Sequence, residues 1–234
     1  RQMKRSWNVE DMTWQDWAPV VSRYLGVISQ LDHEIGRVLA ALDQMGIADN
    51  TLVIYTADHG DMCGSHGVPD KHYIMYDDVV RVPLMMRWPG AIPAGRASDA
   101  FVTNALDMAT TFCDAAGTEP PDTFMGVSLL PVAAGEAGTG REDIFATYHG
   151  NQFGSYSQRM VRDRRWKYVW NATAEDELYD LDTDPGELVN RAADPDCAEE
   201  VSRLRKRLAA WMTDTDDSLM NGSIRRQLVG GHKL

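Results

Sequence analysis

The chain has 234 residues, of which 44% are hydrophobic and 25% are charged, and its formal net charge is −12 at pH 7. This composition is typical of a globular protein. The negative charge argues against broad electrostatic binding to nucleic acid or to anionic lipid, which needs clustered Lys and Arg. No apolar run is long enough to span a bilayer. We therefore expect no membrane partner and, because of the negative charge, no nucleic-acid partner. A small anionic substrate stays open, because a few local cations can dominate a site.

Residues 17–45 carry apolar side chains at a spacing of three and four, which predicts one long amphipathic helix with Asp16 as its N-cap. The short apolar run at 51–56 predicts a buried strand, and its lack of alternation suggests a central parallel strand covered by helices. A second strand at 81–88 and a short helix at 107–116 follow. Helices alternating with buried strands indicate an α/β layered fold.

The pattern changes after about residue 143. Four short strands are expected, at 144–148, 159–162, 166–170 and 177–181. Asp163-Arg164-Arg165 has the composition of a hairpin turn, and 196–213 predicts a last amphipathic helix. We therefore expect a first domain over 1–140, a small α+β lobe of sheet and helix over 141–213, and a loosely ordered tail over 214–234.

The three cysteines, Cys63, Cys113 and Cys197, show no paired spacing and no Cys-x-x-Cys motif. We expect them to be unpaired thiols, with neither a disulfide framework nor a zinc knuckle.

Asp58-His59-Gly60 directly follows the predicted strand at 51–56. Ligands of open α/β sheets bind beyond the carboxyl ends of strands, and a carboxylate beside an imidazole there can hold a divalent cation. Taken alone, the pair is weak evidence, because two polar residues at this place more often cap a loop. Lys71 follows across a Gly-rich loop and could return its ammonium to the same place, although a solvated surface lysine is the ordinary alternative.

Taken together, the residues of this region resemble the sulfatase family. The segments that carry the resemblance run in order as Thr56-Ala57-Asp58-His59-Gly60, Gly64-Ser65-His66-Gly67, Lys71-His72, Tyr76-Asp77-Asp78, Arg81-Val82-Pro83-Leu84 and Trp88-Pro89-Gly90. Farther along, Asp107 to Gly117, Gly126-Val127-Ser128-Leu129 and Glu177-Leu178-Tyr179-Asp180-Leu181 also match. The resemblance spans roughly residues 20–212 and places the chain in the C-terminal portion of the family.

The resemblance implies a part of the alkaline-phosphatase-like three-layer sandwich and a small C-terminal lobe of antiparallel sheet and helix. It implies hydrolysis of a sulfate ester, with Asp58 and His59 as metal ligands and Lys71 as a catalytic and substrate-binding residue. His72 beside Lys71 and His149 in the lobe are expected to contact substrate. The family's metal is usually Ca²⁺, but a histidine at position 59 leaves Mg²⁺ or Mn²⁺ open. We expect Tyr76-Asp77-Asp78 to be structural.

The family's nucleophile is a formylglycine made from a Cys in a Cys-x-Pro-Ser-Arg or Cys-x-Ala-x-Arg motif. None of the three cysteines has that context, since they are followed by Gly-Ser-His, Asp-Ala-Ala and Ala-Glu-Glu. We therefore expect the formylglycine to lie in an N-terminal half that this chain lacks, and we expect that half as a partner. The chain alone would then be inactive, with an apolar helix face exposed.

Two other functions stay open. One is hydrolysis of a phosphonate or phosphate ester by a member of the same superfamily, and the other is a non-catalytic half or accessory subunit. Retention of Asp58, His59 and Lys71 together argues against the second. The sequence indicates neither the ester, which could be a small molecule or a saccharide, nor the compartment.

Overall fold

The computed structural model describes residues 2–71, 73–136, 138–150 and 156–231. The chain divides into two compact units. One comprises Arg1–Lys71 with Asp78–Arg141, and the other comprises His72–Asp77 with Glu142–Leu234. Within the described ranges, no helix has both the length and the apolarity that a membrane span requires.

The first unit is mainly helical. Its elements are α1 (Gln2–Ser6), α2 (Trp14–Gln44), β1 (Val53–Thr56), α3 (Asp77–Val80, whose first residue belongs to the second unit), β2 (Leu84–Arg87), α4 (Asn104–Ala115) and α5 (Leu130–Ala134).

Helix α2 begins three residues earlier than predicted, and its N-cap is Thr13. The assignment of Asp16 as N-cap was wrong. Asp16 is the third helical residue, and its Oδ2 accepts hydrogen bonds from the Thr13 amide and hydroxyl, both at 2.8 Å. A carboxylate three residues inside a helix can reach back to the N-cap amide, so the same Asp-before-apolar pattern fits both positions.

The apolar stripe of α2 is largely exposed. Of the residues in this helix, all of which the structure describes, Trp17 is the buried one. Eight large apolar side chains are each more than 40% exposed: Trp14, Val20, Tyr24, Leu25, Val27, Ile28, Leu31 and Val38. A continuous apolar face of this kind is typical of a surface that binds protein.

Strand β1 pairs antiparallel with β2, in a register that sets Val53 opposite Arg87 and Thr56 opposite Leu84. The expected parallel neighbour is not found among the described residues, and all four β1 residues are half-buried. An apolar run predicts a strand but not the direction of its neighbours, which explains the difference. Strand β2 starts only after Pro83, because a proline has no N–H for the sheet.

Helix α4 starts at Asn104, three residues before the predicted start. The fully buried Asp107 ties this helix to the chain around it. Its Oδ2 accepts from the Thr103 amide at 2.7 Å and its Oδ1 from the Val127 amide at 2.9 Å. Arg141 binds both oxygens, at 2.7 and 2.6 Å, so the buried carboxylate is neutralised.

The second unit is built on a four-stranded antiparallel sheet in the order β3 (Ile144–Gly150), β4 (Tyr156–Arg162), β5 (Trp166–Asn171) and β6 (Glu177–Asp180). Helix α6 (Ala198–Asp214) packs on β4 and β5. Their shared core includes Tyr168, Trp170, Leu204 and Leu208, each at most 1% exposed. The predicted lobe of sheet and helix is confirmed.

The hairpin turn at Asp163-Arg164-Arg165 is also confirmed. It joins β4 to β5, and Asp163 Oδ1 accepts from the amides of Arg165 and Trp166 at 2.9 and 2.6 Å. The three cysteines are free thiols, as expected.

The expectation of a loosely ordered tail was wrong. Residues Gly222–Gly230 form a helix, α7, which packs on α6. Asn221 caps it by accepting from the Ser223 and Ile224 amides at 2.9 and 3.0 Å, and Leu228 is fully buried. Two apolar residues one turn apart are enough to anchor a short helix, although the composition of the segment is polar.

A buried ion cluster fastens residues 73–77 to the second unit. Lys167, whose side chain is 0% exposed, donates to the Met75 carbonyl at 3.0 Å and pairs with Asp77 and with Glu187 Oε1, the latter at 2.5 Å. Arg162 binds both oxygens of Asp77 at 2.7 Å. These contacts agree with the structural role expected for Asp77.

Burial and charge act in opposite directions on the two carboxyl groups of this cluster. Burial raises the pKa of Glu187, and Lys167 offsets the rise only in part. Burial also acts to raise the pKa of Asp77, but Lys167 and Arg162 together outweigh it and hold this pKa below its ordinary value.

Candidate active site

The candidate site begins where β1 ends, at Asp58-His59-Gly60. Asp58 Oδ1 accepts a hydrogen bond from the His59 amide at 2.9 Å. The imidazole Nδ1 lies 2.9 Å from the Gly60 carbonyl oxygen. Because a carbonyl can only accept, Nδ1 carries the proton in this contact, and in the neutral ring Nε2 is then the nitrogen that can bind a metal.

The two side chains of the pair open onto solvent and face each other. His59 Nε2 lies 3.6 Å from Asp58 Oδ2, and the side chains are 40% and 87% exposed, respectively. Two ligand atoms at this separation can share one cation at bond lengths of about 2.0 to 2.5 Å. A histidine oriented by a carbonyl at Nδ1 is also the common arrangement of a metal-binding imidazole.

The chemistry of the donor set therefore fits a divalent cation, as part of a coordination shell. In the part of the chain that the structure describes, no three His, Cys, Asp or Glu side chains are grouped to hold a metal. An oxygen with a nitrogen donor suits Mn²⁺ as well as Ca²⁺, since calcium prefers oxygen ligands and imidazole suits transition metals.

The loop after His59 closes on itself through its backbone. Gly60 donates to the Val79 carbonyl at 2.8 Å, Met62 to the Asp70 carbonyl at 2.8 Å and Gly64 to the Val68 carbonyl at 3.0 Å. The chain thus returns on itself, and Lys71 directly follows the residue that is bonded to Met62. That Lys71 returns its ammonium to the end of β1 stays a prediction.

Several residues of this loop adopt left-handed backbone conformations that disfavour side chains. Cys63, His66 and Asp70 have φ of 43°, 53° and 63°. At Gly60 the reason for glycine is steric, since a Cβ there would lie 1.9 Å from the carbonyl oxygen of Asp78. Such strain is often concentrated at functional sites, where the surrounding structure holds it.

Among the described residues, the ion pair of Lys71 is a long one. Its ammonium lies 3.8 Å from Asp70 Oδ1, and its side chain is 38% exposed. A lysine in this state keeps donors available for an anion. His72, which was expected beside it, lies outside the described residues.

His149 belongs to the second unit and lies within β3, which extends two residues beyond the strand predicted at 144–148. The side chain is exposed, and Nδ1 lies 2.6 Å from Ser157 Oγ on the neighbouring strand. Tyr148 and Gly150 are strand residues too, and Asn151 lies outside the described residues. The first unit thus contains Asp58, His59 and Lys71, and the second contains His149.

Sequence reasoning missed Asn104, which contacts the end of β1. Its Nδ2 donates to Thr56 Oγ1 and to the Ala57 carbonyl, each at 3.0 Å. No motif in the sequence indicates it, because an asparagine near a helix start is usually a capping residue.

Comparison with known proteins decides the family. The model for the C-terminal region of N-sulphoglucosamine sulphohydrolase matches residues 64–214, and the sulfatase model matches residues 3–118. The chain belongs to the sulfatase family. An N-acetylglucosamine-6-O-sulfatase of Bacteroides thetaiotaomicron is 36% identical to this sulfatase chain over 192 residues, which are 79% of the chain and 34% of the relative.

Solved structures share the fold. A structure in complex with its substrate D-glucosamine-2-N,6-O-disulfate is 33% identical, with a TM-score of 0.77 over 83% of this chain and 40% of that one. A phosphonate monoester hydrolase of Agrobacterium radiobacter is 32% identical, with a TM-score of 0.74 over 93% of this chain and 43% of that one. The fold is thus part of the α/β, alkaline-phosphatase-like fold with its antiparallel lobe. The sulfatase chain spans about a third to two fifths of the length of these proteins.

Proposed function

We propose that this sulfatase chain supplies part of the active site of an enzyme that hydrolyses a sulfate ester, R–O–SO₃⁻ + H₂O → R–OH + HSO₄⁻. The observation that supports it best is the Asp58 and His59 pair at the end of β1, with ligand atoms 3.6 Å apart and the imidazole oriented by the Gly60 carbonyl.

In this proposal Asp58 Oδ2 and His59 Nε2 hold a divalent cation, either Ca²⁺, Mg²⁺ or Mn²⁺. The cation, when bound, supplies Lewis-acid polarisation of a sulfuryl oxygen. Formylglycine, which the family resemblance implies outside this chain, would supply the nucleophile that replaces the ester oxygen on sulfur.

Lys71 is assigned to the sulfuryl group itself. Its loosely paired ammonium would donate hydrogen bonds to a sulfuryl oxygen, both in the bound ester and as negative charge shifts while the S–O bond to the ester oxygen breaks. The backbone pairing of the 60–70 loop would keep this ammonium from moving away with the loop. His72 and His149 are proposed to contact the rest of the ester.

The proposed substrate is a saccharide sulfate ester. An N-acetylglucosamine-6-O-sulfatase and a structure that contains D-glucosamine-2-N,6-O-disulfate are among the similar proteins. The alternative is a phosphonate ester, favoured by the likeness to a phosphonate monoester hydrolase over 93% of the chain. The proposed partner is the polypeptide that carries the nucleophile.

The test uses the natural protein that contains this chain, first analysed by intact mass under denaturing conditions for a formylglycine-bearing polypeptide. Its kcat/KM is then measured on glucosamine 6-sulfate, 4-nitrophenyl sulfate and 4-nitrophenyl phenylphosphonate. Lys71→Ala should lower kcat/KM for the sulfate esters by about 10²- to 10³-fold. Lys206→Ala, an exposed lysine on α6, is the matched control and should leave it unchanged.

Unchanged kcat/KM in the Lys71→Ala protein would contradict the role of this lysine. A preference for the phosphonate would establish the alternative. Turnover by the purified 234-residue chain alone, abolished by Lys71→Ala, would contradict the proposal that the nucleophile comes from another polypeptide.

A further inference from the structure

We infer that Asn104 is the positioning residue of the candidate metal pair, a role that rests on the proposed function of Asp58 and His59. Asn104 is the first residue of α4, and Thr56 and Ala57 are the two residues before Asp58. Asn104 therefore acts on the segment that carries the pair and does not touch substrate.

The orientation of the Asn104 amide follows from its partners. Its Nδ2 lies 3.0 Å from the Ala57 carbonyl oxygen, which can only accept, so the contacting atom is the nitrogen. The same nitrogen lies 3.0 Å from Thr56 Oγ1. Both amide protons of Asn104 thus donate hydrogen bonds to adjacent residues at the end of β1.

The threonine hydroxyl extends this contact to a third element. Thr56 Oγ1 donates to the Pro83 carbonyl at 2.9 Å, which leaves its lone pair to accept from Asn104. Pro83 directly precedes β2. One chain of hydrogen bonds therefore joins the start of α4, the end of β1 and the start of β2.

This connection acts beside two others on the same segment, the pairing of β1 with β2 before Asp58 and the bond from the Gly60 amide to the Val79 carbonyl after His59. The side chains of Asp58 and His59 are 87% and 40% exposed, and their hydrogen bonds are to each other's residue or to Gly60. The orientation of the Asp58 and His59 side chains therefore depends on the position of the backbone that carries them. Asn104 holds that backbone through its Nδ2, and its Oδ1 has no hydrogen-bond partner among the described residues.

Hydrogen exchange measured by mass spectrometry on the 234-residue chain tests this without a metal. Asn104→Ala should speed exchange of the amides of residues 57–60 by about ten-fold or more. Thr56→Val, which lacks the hydroxyl, should do the same, and Thr56→Ser should stay like the unmodified protein. Thr111→Val is the matched control. Thr111 lies in α4 like Asn104, but its hydroxyl accepts from the Leu129 amide at 2.9 Å and not from a residue of β1.

Binding of Mn²⁺ alone, followed by the electron spin resonance of the free ion, gives the second readout. Asn104→Ala and Thr56→Val should weaken binding by about 10- to 100-fold, as loss of an outer partner of a metal ligand does. Thr111→Val should not. Asp58→Ala should abolish binding, and this variant tests the proposed function itself.

The outcomes separate the two ideas. Local acceleration of exchange at 57–60 in Asn104→Ala and Thr56→Val, absent in Thr111→Val, supports the inference. Exchange at 57–60 that is unchanged in Asn104→Ala, or equally fast in Thr111→Val, overturns it, whatever the metal does. Mn²⁺ binding that is absent, or that survives Asp58→Ala, overturns the proposed metal pair instead.

Discussion

Replacing Lys167 by Met should expose how strongly the buried ion cluster of the second unit depends on its one lysine. The lysine is 0% exposed and holds Met75, Asp77 and Glu187. Methionine matches most of the aliphatic stem, so the variant removes the charge and the hydrogen bonds while keeping the packing. Arg162 still binds Asp77 in the variant. Glu187, whose side chain is 2% exposed, loses the cation that pairs with it.

The expected cost follows from this single uncompensated carboxylate. Removing one partner of a buried pair typically destabilises a protein by about 3 to 5 kcal/mol. Total stabilities are about 5 to 15 kcal/mol, so this loss is a large fraction. Lys206→Met, at an exposed position of α6, is the matched control and should change stability by no more than about 0.5 kcal/mol.

The loss should also depend on pH, with a definite sign. Burial raises the pKa of Glu187, and Lys167 counteracts the rise, so its removal raises that pKa further. An acid whose folded-state pKa exceeds its unfolded value favours the folded state below that pKa, and this contribution is lost as pH rises through it. The deficit of Lys167→Met should therefore be smaller at pH 5.5 than at pH 8.

Urea unfolding followed by tryptophan fluorescence measures both effects, because Trp166 and Trp170 lie in the same core. Adding Glu187→Gln to Lys167→Met removes the uncompensated charge and should restore more than half of the loss. A deficit below about 1 kcal/mol, or one equal at pH 5.5 and pH 8, would refute the reasoning, since neither fits an unpaired buried carboxylate.

Three further perturbations test other parts of the chain. Gly60→Ala should lower the free energy of unfolding by more than about 1 kcal/mol, because its Cβ would meet a backbone oxygen at 1.9 Å. Gly36, a residue of α2, has open space where a Cβ would lie, so Gly36→Ala should raise this free energy by about 0.5 to 1 kcal/mol. Equal free energies for the two variants in urea unfolding would contradict this. Asp217→Asn should destabilise more at pH 7 than at pH 3. Burial acts to raise the pKa of Asp217, yet Arg159 and a backbone amide hold it below its ordinary value, so the stabilisation is present above that value and lost as pH falls; an effect equal at both pH values in thermal melts would contradict it. Ile28→Lys, on the exposed face of α2, should reduce self-association in light scattering, and an unchanged mass distribution would show that this face does not bind copies of the chain.

Much of the fold could be predicted from the sequence where periodicity was strong. The long helix α2 and the β3 to β6 sheet with its helix arise from patterns that repeat over many residues. The α7 helix could not be predicted in this way, because three apolar residues in a short polar stretch give too little pattern. The neighbours of β1 could not either, because an apolar run contains no information on strand direction.

The candidate site was predictable to the extent that its residues are close together along the chain. Asp58 and His59 adjoin in sequence, and their approach to 3.6 Å needs only a turn. Asn104 lies 48 residues from Thr56, and only the fold brings the two together. Contacts over such separations depend on tertiary packing, which local patterns do not encode.

The way the second unit is assembled has a consequence for fragments. Residues 73–77 belong to it by contact, although the 64 residues of the segment Asp78–Arg141, which belong to the first unit, separate them along the chain from Glu142. A polypeptide cut at Glu142 would keep Lys167 but lose both Asp77 and the Met75 carbonyl, leaving Glu187 as its single partner in the cluster. The C-terminal lobe therefore cannot be exchanged between homologues as one continuous segment. A chimera would need to exchange residues 73–77 together with the lobe.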